Sequence, residues 1–244
     1  MKNLRENPLI LALDAELKDA KIIIQELKEE IEIFKIGSRL FTQAGPSAVS
    51  WVHREKRKVF LDLKFHDVPK TAEESARNAV RLGVWGFTIH CSGGFAMMKA
   101  AARAAQEESK KLKIPKPLIF GVTVLTSLSS SDLRQIGVER SSLAQVQRLA
   151  RLAKAAGLDG VVASGNEISA VRKICGRSFL IAVPGIRPGS KASDDQKRIV
   201  TPKSARDLGA NFFIVGRPIL DSKNRRLSAR KFLSEVYRYD RKRN

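Results

Sequence analysis

Two acids and an amine fall within six positions in the segment Asp62-Leu63-Lys64-Phe65-His66-Asp67. On an extended strand, residues two apart share a face, so Asp62 and Lys64 point one way and Leu61 and Leu63 the other. Holding a carboxylate and an ammonium together out of bulk water costs desolvation energy, which makes a purely structural role a poor explanation. Such a pair suits charge stabilisation and proton transfer. Asp67 lies three residues beyond Lys64, in the loop after the strand. The D-x-K-x-x-D spacing thus offers acid, base and acid at one mouth.

A second cluster has a different chemistry. Val183-Pro184-Gly185-Ile186-Arg187-Pro188-Gly189-Ser190 is followed by Gln196 and then by Gly216-Arg217-Pro218. Glycine lets backbone N–H groups approach an anion, and arginine adds a planar fork of donors. These residues could instead only make turns, but their place after the last two apolar runs favours a phosphate site. Asp14, Lys35, His90, Thr126, Ser164 and Arg217 also end apolar runs. Each alone reads as a salt bridge or a cap; together they mark a site. His66 reads as a structural imidazole, His90 as a residue behind the site, and His53 as incidental. Three isolated histidines give no metal signal. Cys91 and Cys175 lack any CxxC spacing and read as reduced structural thiols.

The elements that would position these residues alternate regularly. Strands are expected at 9–14, 33–37, 59–64, 86–91, 118–125, 160–164, 179–183 and 212–215. Helices are expected at 16–30, 46–56, 69–82 with Gly83 as C-cap, 95–110, 142–156, 168–175 and 204–208. The strands are almost continuously apolar, as strands covered on both faces must be. Eight such units in 244 residues predict a closed (β/α)8 TIM barrel, one domain over 1–244, with chemistry at the C-terminal ends of the strands. A doubly wound open sheet fits less well, because the first strand lacks a GxGxxG turn.

Composition restricts the function classes. No apolar run approaches the ~20 residues needed to span a bilayer, and residues 1–7 show no secretory apolar region, so a cytoplasmic protein without membrane contact is expected. Forty-five Lys+Arg against 25 Asp+Glu give +20, a balance that would suit an anionic partner. Residues 222–244 carry nine Lys/Arg and two Asp/Glu, a net of +7, so the other +13 is spread over the rest of the chain. In that tail Phe232, Leu233, Val236 and Tyr237 fall at helical spacing. A packed basic helix at about 226–240 is therefore expected rather than a nucleic-acid arm. With few aromatics interleaved among the basic residues and no binding motif, nucleic acid is not expected as a partner despite the charge.

Leu61-Asp62-Leu63-Lys64-Phe65-His66-Asp67-Val68-Pro69-Lys70-Thr71 resembles the signature of orotidine 5′-phosphate decarboxylases, the enzymes that make UMP in pyrimidine synthesis. The similarity continues in order through Ala12-Leu13-Asp14, Phe34-Lys35-Ile36-Gly37, Leu125-Thr126-Ser127, Pro184-Gly185-Ile186-Arg187, Asp194-Asp195-Gln196 and Val215-Gly216-Arg217-Pro218. D-x-K-x-x-D alone is shared with related sugar-phosphate lyases and aldolases, some using Mg2+. The H-D-x-P-x-T extension, with Gln196 and Arg217, is far more specific. Lys70, where the family commonly has Asn, is a peripheral departure.

The resemblance implies decarboxylation of orotidine 5′-phosphate to UMP and CO2 in de novo pyrimidine biosynthesis, with no metal and no organic cofactor. It implies that Lys35, Asp62, Lys64 and Asp67 form the catalytic network and that Asp14 and Lys35 hold ribose hydroxyls. Thr126 would meet the pyrimidine edge, and Arg187, Gln196, Gly216 and Arg217 would hold the phosphate, with the loop at 190–196 closing over it. Asp67 and Thr71 would enter the neighbouring subunit's site, making a homodimer with composite sites. Lys64, kept protonated by Asp62 and Asp67, would stabilise the C6 carbanion and protonate it.

Overall fold

The computed structural model describes residues 7–187 and 200–237. Its eight parallel strands close into a barrel in chain order. They are β1 (Leu9–Ala12), β2 (Ile33–Gly37), β3 (Lys58–Phe65), β4 (Gly86–His90), β5 (Leu118–Val122), β6 (Gly160–Val162), β7 (Leu180–Pro184) and β8 (Phe212–Val215). β1 pairs with both β2 and β8, which completes the ring.

The alternation of side chains divides the core in two. Leu9, Leu11, Phe34, Phe213 and Val215 point outward and pack against the helices. Ile10, Ala12, Ile33, Phe60, Phe120, Ala182, Phe212 and Ile214 fill the barrel interior. Phe60, Trp85, Phe120 and Phe212 meet in an aromatic cluster with ring centroids 5.1 to 6.1 Å apart. These rings lie toward the N-terminal ends of the strands and give the interior a packed floor. On β2 and β3 the next inward positions above Ile33 and Phe60 are the polar Lys35 and Asp62.

Strand and helix ends differ from expectation in instructive places. β1, β5 and β6 stop at Ala12, Val122 and Val162 although the apolar runs continue; past β1 and β6 a backbone bond from Leu13 N–H to the Lys35 carbonyl and one from Ala163 N–H to the Ala182 carbonyl extend the contact. The single helix expected at 46–56 is preceded by another. Ser38–Ala44 forms one helix and Ser47–Arg54 the next, divided at Gly45, whose φ of +54° favours glycine. Helix Ser130–Gln135 was also not evident from apolar periodicity, and it is fixed by a capping box between Ser129 and Asp132.

The basic C-terminal helix Arg225–Tyr237 is docked, with Phe232 and Val236 buried. Its basic face is not simply solvated. Arg225 pairs with Glu26 at 2.9 Å and Arg230 with Glu30 at 2.7 Å, beside the helix Leu17–Leu27. Among the described residues no helix is long and apolar enough to cross a membrane. Cys91 and Cys175 are buried free thiols, and burial pushes the Cys91 pKa up to about 12.

Gly160 marks how closely β6 and β7 approach. A Cβ there would stand 2.4 Å from the Leu180 carbonyl oxygen and 2.7 Å from its Cβ. Backbone cannot swing aside as a side chain can, so Gly160→Ala is expected to destabilise the barrel by roughly 1–3 kcal/mol. Urea unfolding checks this, and a change within about 0.5 kcal/mol would contradict the described β6–β7 packing.

Candidate active site

The polar residues at the C-terminal ends of the strands open into one cavity of about 750 Å³. β2 delivers Lys35, inward-facing and 7% exposed; β3 delivers Asp62, 9% exposed. The Lys35 ammonium lies 3.1 Å from Asp62 Oδ2 and 3.5 Å from Asp14 Oδ1. Gly37 makes room for it, since a Cβ there would come 3.1 Å from Lys35 Nζ. Lys64 Nζ lies 2.9 Å from the other oxygen of Asp62. One buried carboxylate is therefore shared by two ammonium groups. Burial alone would push the Asp62 pKa up. The charges of Lys35 and Lys64, with hydrogen bonds from Lys64 and Thr88, outweigh it and hold the carboxyl below its ordinary value.

Asp62 and Lys64 come together as expected, but not along a regular strand. Leu61 pairs with Phe87 and Phe65 with Ile89, so Asp62, Leu63 and Lys64 stand opposite the single residue Thr88. Lys64 takes up the excess chain with φ +51°, a left-handed backbone that costs a non-glycine residue roughly 1–2 kcal/mol. Thr88 is fully buried beside it. Thr88 is not among the residues expected at the site, and its one signal in the sequence is that it lies two before His90 and so on the same strand face.

The phosphate candidates gather on the other side of the mouth. Gly185 and Arg187 follow β7, and Gly216 and Arg217 follow β8; all four line the cavity. A Cβ on Gly216 would sit 3.7 Å from Asp14 Oδ2, so this cluster abuts the charged one at β1. Thr126 and Ser164 line the wall after β5 and β6, as does Ser127, which was not singled out as a site residue from sequence. Gln196 and the loop 190–196 lie outside the described residues.

Asp67 and Thr71 are not part of this cavity. Both are exposed, and Asp67 Oδ1 accepts the N–H of Val68 at 2.6 Å instead of meeting Lys64. Within one chain the third charge of D-x-K-x-x-D is thus apart from the other two. The rings of His66 and His90 meet at a tilt of 38° with centroids 5.1 Å apart. Burial, with His66 and Lys64 adding to it, lowers the His90 pKa.

Known proteins resemble this chain over most of its length. Residues 7–232 match the family model described as orotidine 5′-phosphate decarboxylase / HUMPS family. A protein of Syntrophotalea carbinolica named orotidine 5′-phosphate decarboxylase is 45% identical, covering 93% of this chain and 94% of its own. One of Moorella thermoacetica with the same name is 44% identical, covering 95% and 92%. A crystal structure of orotidine 5′-phosphate decarboxylase from Lactobacillus acidophilus superposes with a TM-score of 0.84 at 31% identity, over 95% of this chain and all of the other.

The lowered Asp62 pKa has a consequence for stability. The unfolded chain binds this proton more readily than the folded one, so the contribution is complete above the unfolded value of about 4 and is lost as pH falls through the folded value. The stability difference between wild type and Asp62→Asn, measured by urea unfolding, should therefore be level above about pH 5 and change progressively below about pH 4 in the direction that lowers wild type. A difference unchanged down to about pH 2 would contradict the ionised, doubly paired carboxylate.

Proposed function

The chain belongs to the orotidine 5′-phosphate decarboxylase / HUMPS family, and on that footing we propose that it converts orotidine 5′-phosphate to UMP and CO2 in de novo pyrimidine biosynthesis. The observation that carries this reading is the buried Asp62 carboxylate held between the Lys35 and Lys64 ammonium groups at the barrel mouth. Around the closed ring the order β7, β8, β1, β2, β3 matches a nucleotide laid from phosphate to base. Arg187, Gly216 and Arg217, with Gln196, take the phosphate; Asp14 and Lys35 take ribose hydroxyls. Thr126 meets the pyrimidine edge, and the C6 carboxylate comes to Asp62 and Lys64.

The chemistry follows from charge. The bond from C6 to the carboxylate carbon breaks, CO2 departs, and the electron pair remains at C6. The Lys64 ammonium stabilises that charge and transfers one proton from Nζ to C6, then regains a proton from solvent. Asp62 faces the substrate carboxylate and holds Lys64 in place. Phosphate binding supplies energy remote from the reacting carbon, available for closing and organising the site. Both oxygens of Asp62 and Oδ1 of Asp14 already face an ammonium, a setting that repels a divalent cation, which supports a metal-free reaction.

The working unit in this reading is a cytoplasmic homodimer in which Asp67 and Thr71 enter the neighbouring subunit's site, and nucleic acid has no part in it. Support comes from their exposure outside the cavity and from Val68 between them, an apolar side chain 62% exposed that a second copy would cover.

The direct test is purified protein with orotidine 5′-phosphate after EDTA treatment. Loss of orotate absorbance at an undiminished rate is expected. No turnover sinks the reading, and strict Mg2+ dependence would favour a metal-using sugar-phosphate lyase instead. The composite site is tested separately by mixing Lys64→Ala with Asp67→Ala chains. Each alone should be nearly inactive, and the mixture should recover activity through heterodimers with one intact site. Confirmed heterodimers without recovery would exclude shared sites.

A further inference from the structure

Three residues of β3, Asp62 to Lys64, span the distance that Thr88 alone spans on β4. An excess of that size leaves the β3 backbone without its regular ladder partner at Lys64. The Thr88 side chain takes that place: its Oγ1 accepts the Lys64 backbone N–H at 3.0 Å. The same oxygen donates its hydroxyl to Asp62 Oδ1 at 2.9 Å. A hydroxyl has one hydrogen and two lone pairs. With the backbone N–H occupying a lone pair, the hydrogen goes to the carboxylate. Lys64 Nζ meets that same Oδ1 at 2.9 Å, which closes a ring from the Lys64 backbone through Thr88 and Asp62 to the Lys64 ammonium.

We infer that Thr88 is a positioning residue for the decarboxylation, its hydroxyl fixing the left-handed Lys64 backbone and the Asp62 carboxylate as one unit so that the Lys64 ammonium is aimed at the reacting carbon. This rests on the reading of Lys64 as the proton donor. The hydroxyl is fully buried and touches no position a substrate would occupy in the cavity lining. It therefore acts through Asp62 and Lys64. A side chain that only filled space here would need no hydroxyl, since valine has the same shape.

The groups facing Asp62 are Lys35 from β2, Lys64 from β3, and Thr88 and His90 from β4, with Asp14 reaching it through Lys35 and His66 standing behind His90. Removing the Thr88 hydroxyl takes away one hydrogen bond that favours the ionised carboxylate while leaving those charges in place. The acid limb of kcat/KM should then move to higher pH.

The test compares Thr88→Val and Thr88→Ser with wild type, using orotidine 5′-phosphate turnover and UMP binding on the full chain. Thr88→Val is expected to lower kcat on the order of 10- to 100-fold, the cost of misplacing a reacting group by a fraction of an ångström to an ångström. KM and UMP affinity should change by less than about 3-fold. Its acid limb should lie at higher pH, and Thr88→Ser should restore kcat to within about 3-fold of wild type. Should Thr88→Val fail to fold, Thr88→Ala and Thr88→Ser lack the same methyl group and differ in the hydroxyl; at least about 10-fold faster turnover by the serine variant is expected. Equal kcat for the hydroxyl-bearing and hydroxyl-lacking variants, or an unmoved acid limb, overturns the role of Thr88. Wild-type protein inert toward orotidine 5′-phosphate would instead overturn the functional reading itself.

Discussion

An ionised carboxylate is stable out of bulk water only where opposite charge and hydrogen bonds replace the solvent it has lost. Asp62 meets that condition with Lys35 on one oxygen and Lys64 and Thr88 on the other. The condition reaches far into the fold. It needs β2, β3 and β4 in one fixed register, and it needs Gly37 bare so that the Lys35 side chain has room. It also needs the extra length of β3 that brings Lys64 back over its own strand. The barrel's apolar layers can be understood as the frame that holds three strands to this tolerance. A loosened frame would leave an unpaired buried charge, which is far more costly than a lost apolar contact.

The irregularity at Lys64 is consistent with that demand. A regular strand would carry its ammonium farther along the rim with each residue. Folding the excess residues into a bulge instead keeps the amine close to the carboxylate while leaving its side chain 37% exposed toward the cavity. Local strain of this kind persists only where the surroundings over-determine it. Here the surroundings are the Thr88 hydroxyl on one side and the ion pair on the other.

Most of the barrel was legible because apolar runs alternating with amphipathic segments leave few other solutions. Asp62 with Lys64 could be placed on one face from spacing alone, and Gly216 with Arg217 from their position after the last strand. What escaped lies beyond period and residue type. The helix Ser38–Ala44 follows β2 without a break, so nothing in the pattern announces it. The bulge depends on a pairing mismatch between two strands, which neither strand's sequence contains by itself. Thr88 sits in an ordinary β-branched run and becomes meaningful only beside Lys64. Asp67 illustrates the reverse limit: its spacing suggested one cluster, yet within a chain its carboxylate turns to its own loop.

The aromatic floor formed by Phe60, Trp85, Phe120 and Phe212 closes the barrel interior below the charged cluster. It makes the cavity a blind well rather than a channel. Whatever enters at the strand ends must leave by the same opening; in the proposed reaction this holds for the gas, for the nucleotide and for the water that would re-protonate the amine. A cover over the mouth would therefore govern arrival, departure and proton supply together, so those three events cannot be timed independently of one another.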